Sequence, residues 1–309
     1  MTPEPRLVAS VRAISWLTQA LNIGTRNARA LFGGAGLGVA CLYLTLVAVM
    51  AVLQPPAASS VQTIDAQAIL RAAAPVFVLM LLAFPLLLGG VVHLIDRTER
   101  GETVRALDVF APLRDGRKVG ALVAIGLLQV AISLMTLVAV MLLTGDDFWT
   151  DYLRAVQEVV NGRVGTPPDV RHPILLSLVQ MVFNYISVIT TLLSVPLVVC
   201  SGLGISGAFL GSLRAAARNL VPNLVAAAIV IAVVIAAGFV FVLITALAGQ
   251  IGSLVHAAVG GLIVAALTFV FATVLITLLM AAAYFAWRDM FGDDTTADAT
   301  PAPVTQIAA

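Results

Sequence analysis

From Ala30 onward the chain is a succession of long uncharged runs separated by short stretches rich in arginine, glycine and proline. A hydrocarbon core of about 30 Å is crossed by about 20 residues of α-helix, and six runs reach that length. Three of them are Ala30 to Leu53, Ala72 to Ile95 and Val119 to Leu143. The uncharged stretch from Pro173 to Leu213 is too long for one span and too short for two with a loop. It is read as one helix to about Val198 followed by the glycine-rich "SGLGIS" of residues 201–206, a poor continuation for a lipid-exposed helix. The last stretch divides near "GQIGSLVH", which gives spans at about Leu220 to Leu247 and Val259 to Trp287. The pattern predicts an all-α polytopic membrane helix bundle with six transmembrane helices. A single domain covers 1–291, and residues 292–309 form a polar tail expected to be disordered and cytoplasmic.

The segments just before the odd-numbered spans resemble one another. "ALNIGTRNARALFGGAGLGV", "ALDVFAPLRDGRKVGALVAI" and "FLGSLRAAARNLVPNLVAAA" align so that Arg26-Asn27, Arg117-Lys118 and Arg218-Asn219 coincide. Arg114 and Arg214 sit four residues before Lys118 and Arg218, a spacing that at helical pitch puts two cations on one face opposite apolar residues. This predicts an interfacial helix leading into a span. "FPLLLGG" (84–90) in span two and "VPLVVCSG" (195–202) in span four add a second echo, and Ala281 to Ala283 keep small residues in span six. The simplest organisation is three repeats, about 7–95, 96–200 and 201–291, each an interfacial helix, a span, an outer loop and a span.

Composition agrees with the hydropathy pattern: 61% of the 309 residues are hydrophobic and 11% charged, against about a quarter charged in a soluble domain. The net charge of +1 conceals an asymmetry. Thirteen cations flank the spans on the side of the termini and four on the other, so both termini are expected in the cytoplasm of a bacterial inner membrane. Arg26, Arg114, Arg117, Lys118, Arg214 and Arg218 are the candidate lipid-surface residues. An arginine at mid-bilayer costs about 2.5–3.5 kcal/mol, whereas one at an anionic surface gains about 1 kcal/mol. Scattered arginines between apolar runs do not make the concentrated basic face that nucleic acid requires.

Chemistry is sparse. All sixteen acidic residues fall outside the six apolar runs, which weakens a proton- or sodium-coupled carrier. Asn184, Thr190 and Ser194 are the candidate cavity-lining residues, and Thr191 and His93 are the other polar residues noted inside spans. Three scattered histidines lack metal-ligand spacing; Cys41 and Cys200 read as packing residues. No catalytic residue, metal or cofactor is expected. In the outer loop, Thr150 is expected to cap a helix carrying Leu153, Val156 and Val159 or Val160 on one face and ending at Asn161-Gly162, with Phe148, Trp149 and Tyr152 in an aromatic belt and Asp146, Asp147 and Asp151 as solvated acids. Gly34 with Gly38, and Gly207 with Gly211, permit close helix contact within the chain or between copies.

Trp16 in an N-terminal helix, "RN" before span one, a proline with small residues in span two, "SLRAAARNLVPNLV" before span five and "YFAWRDMF" at the end resemble a group of uncharacterised bacterial inner-membrane proteins. That group is similar to the membrane domain attached to some glycerophosphodiester phosphodiesterases. The resemblance implies a fold type and a location; the phosphodiesterase chemistry belongs to a separate soluble domain. The function expected is a non-catalytic scaffold or envelope-homeostasis factor engaging anionic lipid or a partner protein, with a homo-oligomer left open. The alternative is a carrier or flippase for an amphipathic or lipid-like solute that uses the proline-containing spans as mobile elements.

Overall fold

The structure, a computed structural model, describes residues 4–53, 66–145, 147–160, 163–165 and 170–292. Nine α-helices and one 3-10 segment occupy them, and no strand is present among the described residues. A short helix α1 (Arg12–Asn22) leads into α2 (Gly24–Leu53), and α3 (Ala66–Glu99) returns. The 3-10 segment Ala106–Arg114 then leads into α4 (Gly116–Thr144). A short helix α5 (Phe148–Val160) and α6 (Pro173–Val199) follow, and α7 (Ile205–Arg218) leads into the hairpin of α8 (Leu220–Val255) and α9 (Ala257–Phe291).

Six of these helices contain segments long and apolar enough to cross a membrane: Asn27–Val49, Ala73–Glu99, Gly116–Thr144, Pro173–Val199, Leu220–Val255 and Ala257–Phe291. The chain is a multi-pass membrane protein. Its span hydroxyls rarely reach a neighbouring helix: Thr136, Thr245, Thr268 and Thr273 each donate to the carbonyl four residues back, the usual local solution where water is absent.

The helix boundaries have local causes. Gly202, at φ +66°, sits in the left-handed region where a side chain is disfavoured, and it separates α6 from α7. Asp115 accepts the Arg117 N–H at 3.0 Å and caps α4. His256 Nδ1 accepts the Ala258 N–H at 3.1 Å and caps α9. Asn27, at φ −154° and ψ 62°, breaks the first turn of α2 from the rest.

Each element that precedes an odd span lies against an even span: α1 on α9, the 3-10 segment on α3, and α7 on α6. The even spans α3, α6 and α9 all touch one another. Around them a single buried cluster gathers Trp16, Leu31, Leu94, Ile95, Leu122, Leu193, Leu197 and Met290. This core occupies the end of the bundle that holds both described chain ends, where the Arg6 N–H donates to the Met290 carbonyl at 2.9 Å. Toward the other end burial falls away. Pro222, Asn223 and Gly252 are the buried residues of α8, and most of α9 before Thr273 is exposed.

Several expectations need correction. The helix between α4 and α6 starts at Phe148, so Thr150 lies inside it rather than at its N-cap; Leu153 and Val156 are half-buried while Val159 is exposed. Asp96 and Glu99 are not outside a span helix: α3 continues through both, and packing against α9 gives each a partner. The middle pre-span element is a 3-10 segment that ends at Arg114, while Lys118 belongs to α4 after an extended Asp115. Arg114 and Lys118 therefore do not share a helical face. The two prolines are also inequivalent, since Pro85 is followed by fourteen residues of α3 and Pro196 by three of α6. Asp146, Asn161, Gly162 and the tail from Asp293 lie outside the described residues.

Candidate functional site

Two places concentrate polar chemistry. The first is the closed end of the bundle. On α1, the residues Ala13, Trp16 and Ala20 recur at helical spacing and are buried. The Trp16 indole N–H donates to Asp289 Oδ2 at 2.8 Å, with Arg12 Nε 3.5 Å from the same oxygen. Arg288 bridges three elements, donating to Glu99 of α3 at 3.1 Å and to Gln19 of α1 at 2.7 Å. Its guanidinium also lies 4.7 Å from the Phe285 ring centroid. Tyr284 Oη donates to Asp96 Oδ1 at 3.1 Å, and Arg100 pairs with Asp96 at 3.0 Å. Buried carboxylates need such partners because an unpaired one carries the full desolvation cost.

A second set of contacts at this end has a common form. Asn27 Nδ2 donates to the Val104 carbonyl at 3.4 Å, Lys118 Nζ to the Val199 carbonyl at 3.0 Å, and Asn219 Nδ2 to the Arg6 carbonyl at 2.9 Å. In each case a side chain at the start of an odd span holds the backbone just ahead of another pre-span element. Asn219 Oδ1 also accepts the Val8 N–H at 2.8 Å, so one amide pins the N-terminal segment by both of its groups. Lys118 serves the last turn of α6, where carbonyls lack partners within the helix and the dipole favours a cation.

The expected lipid-surface residues therefore separate. Arg114, Arg117, Arg214 and Arg218 are exposed, whereas Lys118 is half-buried and held by α6. The Arg26 side chain lies outside the described part. On α7, Ala208, Gly211, Ser212, Ala215 and Ala216 are buried while Arg214 and Arg218 face outward.

The second place is a cavity of about 260 Å³ halfway along the spans, between the proline-containing helices α3 and α6 and closed behind by α9. Its wall includes Phe84 and Pro85, Ser187 and Thr191, Met280, and Gln129 from α4. Gln129 Nε2 donates to the Ser187 carbonyl at 3.2 Å, the Ser187 hydroxyl donates back to Gln129 Oε1, and Thr191 donates to the Ser187 carbonyl at 3.0 Å. Asn184, Thr190 and Ser194 do not line this cavity. Asn184 is exposed, Thr190 is fully buried with its hydroxyl unpartnered, and Ser194 donates to Ser212 of α7 at 3.1 Å. Neither Gln129 nor Ser187 is among the residues the sequence pattern marks, although Gln129 is the one amide side chain in the uncharged run from Val119 to Leu143.

Glycines set the spacing between elements. A Cβ at Gly34 would meet Leu94 and the Ala106 carbonyl, and one at Gly38 would meet Leu87, so this small-residue pair serves contact within the chain. Gly211 likewise faces Leu197 at 3.3 Å. Cys200 is half-buried just past the end of α6, and its burial raises its thiol above the usual range, leaving it protonated at neutral pH. Among the described residues no three His, Cys, Asp or Glu side chains gather as a metal ion would need.

Comparison with protein-family models, with curated proteins and with solved structures finds no match.

Proposed function

We propose that the chain is a non-catalytic integral protein of a bacterial inner membrane, with both ends in the cytoplasm, whose cationic surface elements engage anionic lipid. A scaffold or envelope-homeostasis role through a partner protein at the same surface is the corresponding biological reading. The observation that carries it is the exposure of Arg114, Arg117, Arg214 and Arg218 at the end where both described chain ends lie. The side chains are outside the packed core, and the elements bearing Arg114, Arg214 and Arg218 are fastened to even spans by their small or apolar faces. Such a surface is suited to the headgroup region rather than to hydrocarbon. The reading of three repeats draws support from the cyclic packing of pre-span elements on even spans and from the three side-chain contacts of Asn27, Lys118 and Asn219.

The test is to replace Arg114, Arg117, Arg214 and Arg218 together by glutamine and compare thermal midpoints in nanodiscs of phosphatidylglycerol and of phosphatidylcholine. Each arginine at an anionic surface contributes about 1 kcal/mol, so wild type is expected to melt higher in the anionic lipid and the variant to lose most of that difference. Lys118 is left intact because its change would uncap α6 as well. Equal lipid dependence in wild type and variant would remove the reading.

A second reading, a carrier for an amphipathic or lipid-like solute, is favoured by one observation. The cavity lies between α3, which carries Pro85 in mid-helix, and α6. Transfer of a fluorescent phospholipid between the leaflets of reconstituted vesicles, faster than in protein-free vesicles, is what this reading requires.

A further inference from the structure

The same cavity carries an assignment of its occupant. We propose that it is a lateral site for a single acyl chain of a bilayer lipid, entered from the membrane and closed toward the end that holds the chain termini. This names what fills the cavity behind the carrier reading, and it does not require the occupant to be moved.

Three observations support the assignment. The first is a gradient of exposure across the lining. Val188 and Phe84 are 56% and 36% exposed, whereas Leu88 and Met280 at the back are 2% and 1% exposed. The cavity is thus partly open at an apolar rim and blind at its base, where Val91, Leu193 and Leu197 of the packed core begin. A chain entering over Val188 and Phe84 leaves the bilayer without passing a polar surface.

The second is the state of the polar lining. Gln129, Ser187 and Thr191 are spent on one another: each donates a hydrogen bond within the protein, two to the Ser187 carbonyl and one to Gln129. No charged side chain faces the cavity. A headgroup or polar solute would need donors or cations there, since a site that recognises polar groups presents them unpaired before binding. Hydrocarbon needs neither.

The third is size and position. Apolar cavities of about 150 Å³ stay dry and take up benzene, and this one, at about 260 Å³, accommodates a longer stretch of hydrocarbon. It lies at the middle of α3, α4 and α6, which is acyl-chain depth rather than headgroup depth if the helices cross a bilayer of ordinary thickness. At that depth lipid is the abundant apolar molecule.

Photocrosslinking tests this directly. Wild-type protein in nanodiscs is exposed to phosphatidylglycerol carrying a diazirine midway along one acyl chain, and adducts are mapped by mass spectrometry. A parallel sample uses phosphatidylcholine with the same chain. Adducts are expected at residues 187–192 and 276–280 with both lipids, because the chain and not the headgroup is held. The substitution Thr191→Trp, which fills the cavity, should abolish these adducts while those on the lipid-facing Ile235 and Phe239 of α8 remain; Leu279→Trp provides a second plug should the first fail to fold. Wild-type protein with adducts on α8 and none in the cavity overturns the proposal, as do cavity adducts that survive either folded plug. Adducts with only one of the two lipids overturn it in favour of headgroup recognition. Leaflet transfer indistinguishable from protein-free vesicles, with cavity adducts present, would refute the carrier reading and leave this site standing.

Discussion

Trp16→Ala is expected to destabilise the protein by about 3–5 kcal/mol, the range for emptying a buried large aromatic site. The indole is 2% exposed and sits where α1 meets α9. Its loss removes more than packing. Asp289 would keep Arg12 at 3.5 Å, but that arginine is 49% exposed and the pair is correspondingly weak. Arg288, beside Asp289, holds α9 to both α3 and α1, so loosening α1 strips one of its partners. Trp16→Phe separates the two contributions, because it retains most of the buried ring and deletes the N–H bonded to the carboxylate. It should cost about 1.5–3 kcal/mol, as a hydrogen bond to a charged group does. Unfolding midpoints in mixed detergent micelles read both changes. A shift below about 1 kcal/mol for Trp16→Ala would mean that α1 is not fastened as described.

Gly90→Ala is expected to be nearly as damaging, by about 3 kcal/mol, at the upper end of overpacking costs. A Cβ at that position would fall on the Val109 carbonyl and crowd the Val109 side chain. The neighbour is backbone, so it has no rotamer to yield. Gly34 and Gly38 of α2 receive the same 3-10 segment and the α3 leucines Leu94 and Leu87 from the other side. The segment rests in a bed made by three glycines, and a methyl group in that bed lifts it away from α3. Gly120→Ala is the contrasting control. Gly120 lies in α4 with nothing within 4 Å of its would-be Cβ, and removing helical glycine at an open site gains about 0.5–1 kcal/mol. The same chemical change should therefore act with opposite sign at two glycines thirty residues apart. If both variants moved in one direction, the close approach of the 3-10 segment to α3 would be disproved.

The three side-chain contacts of Asn27, Lys118 and Asn219 show how local sequence likeness becomes a tertiary device. Aligning Arg26-Asn27 with Arg117-Lys118 and Arg218-Asn219 was enough to mark the positions. It did not reveal that each residue's donor reaches a backbone carbonyl 77, 81 or 213 positions away. Lys118 was expected among lipid headgroups on the strength of its charge. The structure turns it inward, because the end of α6 offers a carbonyl and a negative dipole at the place where a long side chain from α4 arrives. The acids of α3 tell a similar story. Asp96 and Glu99 follow the apolar run directly and read as interfacial, yet α3 stays helical through them and α9 supplies Tyr284 and Arg288 as partners.

What the chain alone determined is the number of long apolar helices and their approximate positions, the division of the last uncharged stretch near His256, and the short helix between α4 and α6. These depend on the length of an apolar run and on nearest neighbours, both of which are one-dimensional properties. What only the tertiary structure decided is direction: which way Lys118, Asp96, Thr190 and Gln129 point, and that a cavity opens beside Gln129 and Ser187 rather than at Asn184, Thr190 and Ser194. In a span that is apolar on every side, periodicity carries no record of the inward face. That face is chosen by how glycines let α2, α3, α4 and the 3-10 segment approach, a contact between residues far apart in the chain.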